Sequence, residues 1–369
     1  MKKVVYSLFA VATIFATTAL HATVRTVSND PNSPGQYTDL PTAVAAANAG
    51  DTLLVSGGSL YSDITLTKRL IILGTGYNPY KDFSATVTQI NNVTFNDGSD
   101  GSVMQGFVIN YTVNSSGNGV NNIVVKRNKF TYYSSCLVCY GNSWLISENY
   151  FSGTQRTWGD AITINGSSYL VQNNLFVGAP QITNQATNYN TLFVNNTFLI
   201  CNDPSFYSPK LALYNALIAN NIFYGTNGDM NESFGVGTGN TITDNVVYNN
   251  SYSNPLNVSA GINQGVGNKY SIDPKFTNLV TTTGGFGPYN ITTTYAIPLS
   301  SNLQLLPTST VKTGGTDGKE LGIYGGSTPA QNPLTGSPAI PQINSMMLNN
   351  LTVAPGGTLS VTLKAKEGN

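Results

Sequence analysis

Val125-Lys126-Arg127-Asn128-Lys129-Phe130 is the stretch that decides the fold, because its pattern returns along the middle of the chain. The pattern is an apolar residue, two variable residues, Asn, one further residue and a second apolar residue. Its copies follow one another at intervals of 21 to 25 residues, and an earlier copy carries Gly106 in place of Asn. A repeat of this length is typical of a solenoid. The later copies centre on Asn149, Asn174, Asn196, Asn221 and Asn245.

The repeat also predicts a tight bend. Side chains alternate between the two faces of a strand, so Ile123 and Val125 share one face. Strict alternation would place Lys129 on that face instead of Phe130, and an extra residue must therefore lie between them. Asn is the non-glycine residue that best tolerates positive φ, and Gly106 tolerates it better still. We therefore expect a strand, a bend at the Asn and a second strand, with the bend amides stacked as a ladder.

A coil of this length holds three short strands and their turns, which predicts a parallel β-solenoid with coils spaced about 4.8 Å apart. The repeat resembles the right-handed parallel β-helix of the pectate-lyase-like superfamily. A β-propeller or β-sandwich is the alternative, but the Gly/Asp hairpin signals it requires are sparse. The expected fold is all-β, with the β-helix covering residues 23–326.

The start of the chain carries an export signal. Lys2 and Lys3 precede an apolar run from Val4 to Leu20, which is followed by His21 and Ala22. This order is typical of a signal peptide, here residues 1–22, and predicts a secreted or cell-surface protein. Later apolar runs are shorter than the roughly 18 residues that a membrane span requires.

The two ends of the solenoid are also recognisable. Thr38 or Asp39 can cap a short helix, Pro41 suits its first turn and Gly50 ends it, so we expect a helix that covers the first coil. Residues 327–341 are rich in Pro, Gly, Ser and Thr and form the expected linker. Residues 342–369 contain two alternating apolar stretches, which predict a two-strand tail that packs on the solenoid or on a partner.

Composition limits the partners. His21 is the only histidine, and charged residues make up 9% of the chain against about 25% in typical proteins. The 17 basic and 17 acidic residues become a net charge of about −2 once Lys2 and Lys3 are removed. Nucleic-acid binding requires a basic stripe, which this chain lacks. A monomer that contacts a neutral polysaccharide or cell-surface glycan, or has no partner, fits better.

Cys136 and Cys139 invite a metal or redox interpretation, which the strand register opposes. They lie 25 residues before Ala161 and Ile164 in the next coil. If Ile164 faces inward, Cys139 does too, and Cys136 points outward. We therefore expect these thiols to remain unpaired. Cys201, two or three coils away, is beyond disulfide reach.

The segments that follow each repeat vary most in length, as loops between coils do, and stacking in register would line them along one edge. Two interpretations remain open: ordinary turn chemistry, in which Asp is common, or a shared site for Ca²⁺ or a sugar chain. The candidate Ca²⁺ ligands are Asp203, Asp229 and Glu232. Candidate substrate contacts in these segments are Trp158, Tyr207 and Lys210.

The family resemblance implies a test for catalysis. Polysaccharide lyases of this fold use an acid-bound Ca²⁺ and a basic residue that removes a proton beside a carboxylate, and Arg156 with Asp160 is the nearest match. Hydrolases of this fold use Asn-Thr-Asp, Asp-Asp, Gly-His-Gly and Arg-x-Lys motifs as a set. This sequence lacks the first three, and its Arg-x-Lys, Arg127-Asn128-Lys129, belongs to the structural repeat. The match to a catalytic pattern is therefore limited to one pair of residues.

Aromatic residues suggest a second surface. Parity places Tyr140 and Asn165 outward, where they would offer a platform to a glycan. Trp144 and Tyr169, also expected at the surface, are 25 residues apart and would stack as a ladder without any ligand. The sequence favours an exported, non-catalytic β-helix that interacts with glycans or surfaces. A divergent Ca²⁺-dependent polysaccharide lyase or glycoside hydrolase is one alternative, and a purely structural surface module is another.

Overall fold

The computed structural model describes residues 22–78, 86–117, 119–132, 135–154, 160–184, 190–200, 209–225, 230–231, 233–279, 297, 301–327, 329, 336–337, 341–348, 352–353 and 356–367. Three parallel sheets wind around one apolar core, and each complete coil visits sheet A, sheet B and sheet C in that order. The prediction of an all-β parallel β-helix is confirmed. A right-handed winding is the hand that crossovers between parallel strands adopt.

Sheet A contains eleven strands in the described part of the chain. They are Val24–Val27, Thr52–Val55, Ile71–Leu73, Val103–Gln105, Val124–Lys126, Leu145–Ser147, Leu170–Gln172, Thr191–Val194, Ala216–Ala219, Thr241–Thr243 and Gln264–Val266.

Sheet B follows the asparagine bend and contains nine strands among the described residues. They are Thr88–Ile90, Phe107–Ile109, Lys129–Phe130, Tyr150–Thr154, Leu175–Gly178, Thr197–Ile200, Ile222–Gly225, Val246–Tyr248 and Lys269–Tyr270.

Sheet C closes each coil with seven strands over the same described ranges. They are Ile64–Leu66, Val93–Phe95, Val113–Ser115, Leu137–Tyr140, Ile162–Asn165, Gln181–Asn184 and Lys210–Ala212.

The core repeats with the coil. Inward-facing phenylalanines of sheet B stack face to face, with ring centroids 4.7–4.8 Å apart from one coil to the next. This distance matches the spacing of neighbouring strands, so each ring lies directly on the ring of the previous coil. The stacked and fully buried rings are those of Phe130, Phe151, Phe176, Phe198 and Phe223.

The asparagine ladder forms as expected and is buried. In each step the amide nitrogen of one Asn donates to the side-chain oxygen of the next, for example from Asn174 to Asn196 at 3.0 Å. The same oxygen also accepts the backbone N–H of the preceding ladder residue. The six predicted residues are confirmed in this role, and the ladder continues one step further to Asn268, 3.0 Å from Asn245.

The bend residue differs from the expectation. The residue with positive φ is the one before each ladder Asn, as at Arg127, with φ 54°, and Asn173, with φ 53°. In the strand register, Gly106 aligns with Arg127 and Phe107 aligns with Asn128. The N–H of Phe107 donates to the side-chain oxygen of Asn128. The bend thus divides two tasks: one residue takes the left-handed conformation and the next supplies the bridging amide.

Charged residues occupy the left-handed position of the bend in two successive coils. Arg127 and Glu148 both have positive φ and form an ion pair, with 2.7 Å between Arg127 Nε and Glu148 Oε2. Lys126 Nζ also lies 2.7 Å from Glu148 Oε1. Glu148 is buried, so these partners offset the cost of removing its charge from water.

A helix, α1, spans Leu40–Ala46 and closes the first coil, as predicted. The Asp39 side chain accepts a hydrogen bond from the N–H of Thr42 at 3.1 Å, and Pro41 lies in the first turn. Leu40 and Val44 are buried against the core. The helix therefore covers apolar residues that the first coil would otherwise expose to water.

The chain after the last coil lies over the outside of sheet B. Strands Phe276–Asn278 and Asn302–Leu305 pair antiparallel, and a 3₁₀ turn follows at Gly322–Tyr324. Asn173 Nδ2 donates to the carbonyls of Ile323 and Gly325 at 3.0 Å each. The apolar outer positions of sheet B are thereby covered. The division into residues 1–22, 23–326, 327–341 and 342–369 stays a prediction.

The tail contains the expected pair of strands. Pro341–Leu348 and Val361–Glu367 form an antiparallel hairpin, which we call the C-terminal hairpin. Within the described residues, no helix is long and apolar enough to cross a membrane.

Asn174→Ala removes a ladder residue that bonds to four neighbours: Asn149, Asn196 and the carbonyls of Ile146 and Gln172. Because these groups are buried and lose their partner, we expect the free energy of unfolding to fall by about 1–3 kcal/mol. Asn174→Leu should cost more, since it adds an ill-fitting side chain. Asn142→Ala, in an exposed amide pair, is the matched control. Urea unfolding measures all three, and an unchanged midpoint for Asn174→Ala would contradict the ladder's role.

Asp51→Asn tests the anchor of the N-terminal coil. The buried Asp51 carboxylate accepts hydrogen bonds from the N–H groups of Thr23 and Asn48 and from Arg25 Nε, at 2.7–2.9 Å. Burial alone raises the pKa of Asp51, but these donors outweigh it and hold the pKa well below its usual range. The carboxylate therefore stabilises the fold at neutral pH, and this contribution fades as pH falls below the ordinary Asp pKa of about 4.

At pH 7, Asp51→Asn should therefore unfold at a lower urea concentration than the wild type. The difference between the two urea midpoints should narrow towards pH 3. Asp317→Asn, at an exposed turn, should show no such narrowing. A constant difference between wild type and Asp51→Asn from pH 7 to pH 3 would contradict the assigned pKa.

Candidate functional site on the outer face of sheet C

The outer face of sheet C carries a straight row of mostly polar side chains, here called the threonine row. Its members are in register from one coil to the next and alternate with fully buried core residues. All are partly or fully exposed. The row consists of Thr65, Thr94, Asn114, Val138, Thr163 and Thr183.

Asn114 interrupts the threonines with an amide. Its side-chain oxygen is buried and has no hydrogen-bond partner within the described part of the chain. A buried acceptor without a donor costs free energy. Because this oxygen is closed to solvent, a ligand can reach only the remainder of the partly exposed Asn114 side chain.

Asp160 lies beside the threonine row. Its carboxylate accepts hydrogen bonds from Thr163 Oγ1 at 3.1 Å and from Thr183 Oγ1, which belong to successive coils. The carboxylate thus bridges two strands of sheet C and is fixed in orientation. It presents a negative charge beside the row.

Lys210 reaches the same edge of sheet C from a later coil. It pairs in register with Gln181, which in turn aligns with Ala161, the neighbour of Asp160. Asp160 and Lys210 are therefore about two coils apart, or roughly 10 Å along the solenoid axis. Both are accessible, Lys210 fully so.

Tyr140 and Asn165 lie side by side at the other end of these strands, paired in register. Tyr140 is 36% exposed, which agrees with the outward orientation expected from parity. The backbone of Tyr140 is held by Ser115, whose hydroxyl bonds both its N–H and its carbonyl. The ring is therefore presented from a rigid strand. Ligand binding by these two residues stays a prediction.

The other predicted site residues fall outside the described residues. They are Arg156, Trp158, Asp203, Tyr207, Asp229 and Glu232. Within the described ranges, no group of three or more His, Cys, Asp and Glu residues is placed to hold a metal ion. A Ca²⁺ site formed by Asp203, Asp229 and Glu232 accordingly stays a prediction, as does catalysis by Arg156 with Asp160.

The expected outward orientation of Cys136 is wrong. Cys136 is fully buried, and its thiol donates to the carbonyl of Tyr132. The strand begins only at Leu137, so side-chain alternation does not extend back to Cys136, and Ser135 turns the chain with φ 48°. Cys139 is buried as expected. These two cysteines are free thiols.

Trp144 and Tyr169 are also buried, contrary to their expected exposure. Each satisfies its polar atom inside the protein: Trp144 Nε1 donates to the carbonyl of Val120 at 2.8 Å, and Tyr169 Oη donates to that of Gly141 at 2.9 Å. These bonds remove the usual reason for such groups to remain in water. The expected stacking is confirmed, with ring centroids 6.3 Å apart.

The structure also contains a concave surface that the sequence did not predict. A hollow of about 340 Å³ lies between residues 26–35 and the outer face of sheet A. Its lining combines the apolar Leu54 and Leu73 with hydroxyl-bearing side chains. No motif links residues so far apart in sequence, and only the fold brings them together. The hydroxyl groups belong to Thr26, Ser28, Ser33, Ser56 and Thr75.

Comparison with solved structures finds similar chains, among them a pectate lyase. No family model and no curated protein matches the chain. The crystal structure of pectate lyase Pel9A is similar with a TM-score of 0.41 and 14% identity, over 81% of this chain and 95% of that one. The strand pairing of the chain itself confirms the predicted parallel β-helix fold.

The thiols yield a direct test of the burial in sheet C. Burial raises the pKa of Cys136 to about 12 and that of Cys139 well above the ordinary value. At pH 8 only about one Cys136 in ten thousand would be a thiolate, the form that reacts. We expect iodoacetamide to leave both residues unmodified in the folded protein and to label both after denaturation. Non-reducing peptide mapping should find no Cys136–Cys139 disulfide, and finding one would overturn this arrangement.

Proposed function

We propose that the protein is exported and that the outer face of sheet C binds an extracellular polysaccharide without cleaving it. The observation that carries the proposal is the threonine row, a straight line of short side chains about 4.8 Å apart, all polar except Val138. A repeating array of hydroxyl and amide groups suits an extended polymer that repeats its own hydroxyl groups. The array is rigid, because every member lies on a paired strand.

The charge and the aromatic residues of this face support the same ligand class. Asp160 and Lys210 contribute opposite charges, so the face favours neither strongly anionic nor strongly cationic polymers. Tyr140 offers an exposed ring with a polar tip, and Asn165 lies beside it. Such a ring can contact the apolar face of a sugar while its hydroxyl stays hydrogen-bonded. Trp158 and Tyr207 come shortly before Asp160 and Lys210 in the sequence, and we predict that they contact the same ligand.

The export and the monomeric state belong to the proposal. Export is supported by the basic, apolar and small-residue order of residues 1–22. A monomer is supported by the closure of the first coil by α1, which keeps a second solenoid from adding at that end.

A divergent polysaccharide lyase is the second candidate function. The specific observation in its favour is that Asp160 and Lys210 share one edge of sheet C, beside the segments that contain Arg156, Asp203, Asp229 and Glu232. Without a mature histidine, the proton would have to be removed by Lys, Arg or a carboxylate. Arg156 could act as the base only at alkaline pH with Ca²⁺ to stabilise the product charge.

Retention on a panel of immobilised polysaccharides tests the binding proposal. Removing the Tyr140 ring deletes an aromatic contact worth roughly 0.5–1.5 kcal/mol, so Tyr140→Ala should weaken retention about 3- to 10-fold. Asn114→Ala should weaken it as well. Thr241→Ala, an exposed change on the outer face of sheet A, is the matched control and should bind like the wild type.

The same panel is then assayed for cleavage at alkaline pH with Ca²⁺, by the ultraviolet absorbance of the unsaturated product. We expect none. Absorbance that disappears in Arg156→Ala or Asp160→Asn would establish the lyase instead. If the wild-type protein is retained on no polysaccharide and cleaves none, both functions are contradicted and the purely structural surface module remains.

A further inference from the structure

The outer face of sheet A carries a row of aliphatic side chains, here called the aliphatic row. Its seven members occupy the same register position in seven successive coils. They alternate with fully buried residues and therefore point away from the core. Leu192 is 41% exposed, and the others are partly exposed. The row consists of Ile71, Val103, Val124, Leu145, Leu170, Leu192 and Leu217.

The other two sheets show why this row is unusual. Sheet C presents the polar threonine row to water. Sheet B has apolar outer positions, such as Leu175 and Leu199, but residues of the 276–326 segment pack over them. Sheet A combines an apolar outer face with exposure to solvent. A continuous apolar surface of this kind marks a contact site.

The C-terminal hairpin has a matching pattern. Its register pairs apolar residues with apolar residues: Ile343 with Ala365, Met346 with Leu363, and Leu348 with Val361. These pairs alternate with Gln342·Lys366, Ser345·Lys364 and Met347·Thr362. The register shifts between Ile343 and Ser345, and this shift keeps apolar residues paired with apolar residues on both sides of it. Since strand positions alternate between faces, the apolar pairs share one face of the hairpin.

The contacts that the hairpin makes with the described strands and helices are mainly internal. Its two strands contact each other, and neither packs extensively against another strand or helix among the described residues. Val361 is 42% exposed and Met347 is 62% exposed. A two-stranded hairpin is marginal in water unless its apolar face packs on something.

The tether places the hairpin within reach of the aliphatic row. Arg127 Nη1 donates to the carbonyl of Ser337 at 3.1 Å, and Ser337 is buried. Arg127 lies three residues after Val124, a member of the row, on the same coil. The four residues from Ser337 to Pro341 span at most about 14 Å. The hairpin therefore starts beside the edge of sheet A.

The dimensions also agree. An eight-residue strand such as Pro341–Leu348 is roughly 26 Å long, and seven coils span roughly 29 Å from the first to the last member of the row. A hairpin laid along the solenoid axis would cover almost the whole row.

We propose that the C-terminal hairpin docks its apolar face on the aliphatic row of its own chain. Sheet A is then covered by residues 341–367, as sheet B is covered by the 276–326 segment. The lysines at positions 364 and 366 belong to the pairs of the opposite face, which would remain in water. This surface is on a different side of the solenoid from the threonine row, so the proposal is independent of polysaccharide binding.

Hydrogen exchange of the full-length protein tests the docking. In the wild type, the hairpin amides should exchange at least 10-fold more slowly than in the double variant Leu170→Asp, Leu192→Asp, which places two charges on the row. Val361→Asp, on the hairpin, should release the same amides. The matched control is Thr65→Asp with Thr94→Asp, two charges on the outer face of sheet C, and it should retain the protection. Unchanged exchange in the strands of sheet B shows that each variant is folded.

Equal hairpin exchange in the wild type and in the Leu170→Asp, Leu192→Asp variant would overturn the proposal. Protection that appears only as protein concentration rises, together with a dimer in sedimentation, would also overturn it, because the hairpin would then dock on a second copy.

Discussion

The hydrogen bond from one asparagine amide to the next is the interaction on which the solenoid depends. The chain has to turn sharply between sheet A and sheet B in every coil, and a turn inside the protein leaves backbone groups without partners. Each ladder Asn solves this problem for its neighbours: its oxygen accepts an N–H from the preceding coil, and its amide donates to a carbonyl of that coil, as Asn174 does to Ile146. The ladder therefore holds the coils in register, and the phenylalanine stack beside it follows the same spacing.

The features that follow from local chemistry could be predicted from the sequence. The period, the identity of the ladder residues, the N-terminal helix and the two-strand tail all leave a pattern within a few neighbouring residues. Asn268 belongs to the same set, and the run Val266-Gly267-Asn268-Lys269-Tyr270 carried the signal for it. The position of the left-handed residue was missed because Arg127 and Glu148 are unusual in that conformation. Partners in the fold, including each other, keep them there.

Other features depend on contacts that no short pattern encodes. Side-chain alternation predicted the burial of Cys139 correctly. It failed three residues earlier at Cys136, because the strand has not yet begun there. Trp144 and Tyr169 were placed at the surface because their carbonyl partners in the turns could not be foreseen. The covering of sheet B by the segment after residue 276 joins positions more than 100 residues apart, such as Thr197 and Ile323. On sheet C, the outward row could be inferred from parity, whereas the bridge from Asp160 to Thr183 could not.

The separation of the asparagine bend from the loops between sheets B and C has an evolutionary consequence. Each coil is fastened at the bend between sheets A and B, so a loop at the opposite edge can change length without disturbing the ladder. Lengthening a flexible loop is inexpensive, since doubling it raises the closure free energy by only about 0.6 kcal/mol. Insertions and exchanges can therefore accumulate along that edge while the scaffold stays constant. A new ligand preference could arise there one coil at a time, with each coil serving as an independent site of variation.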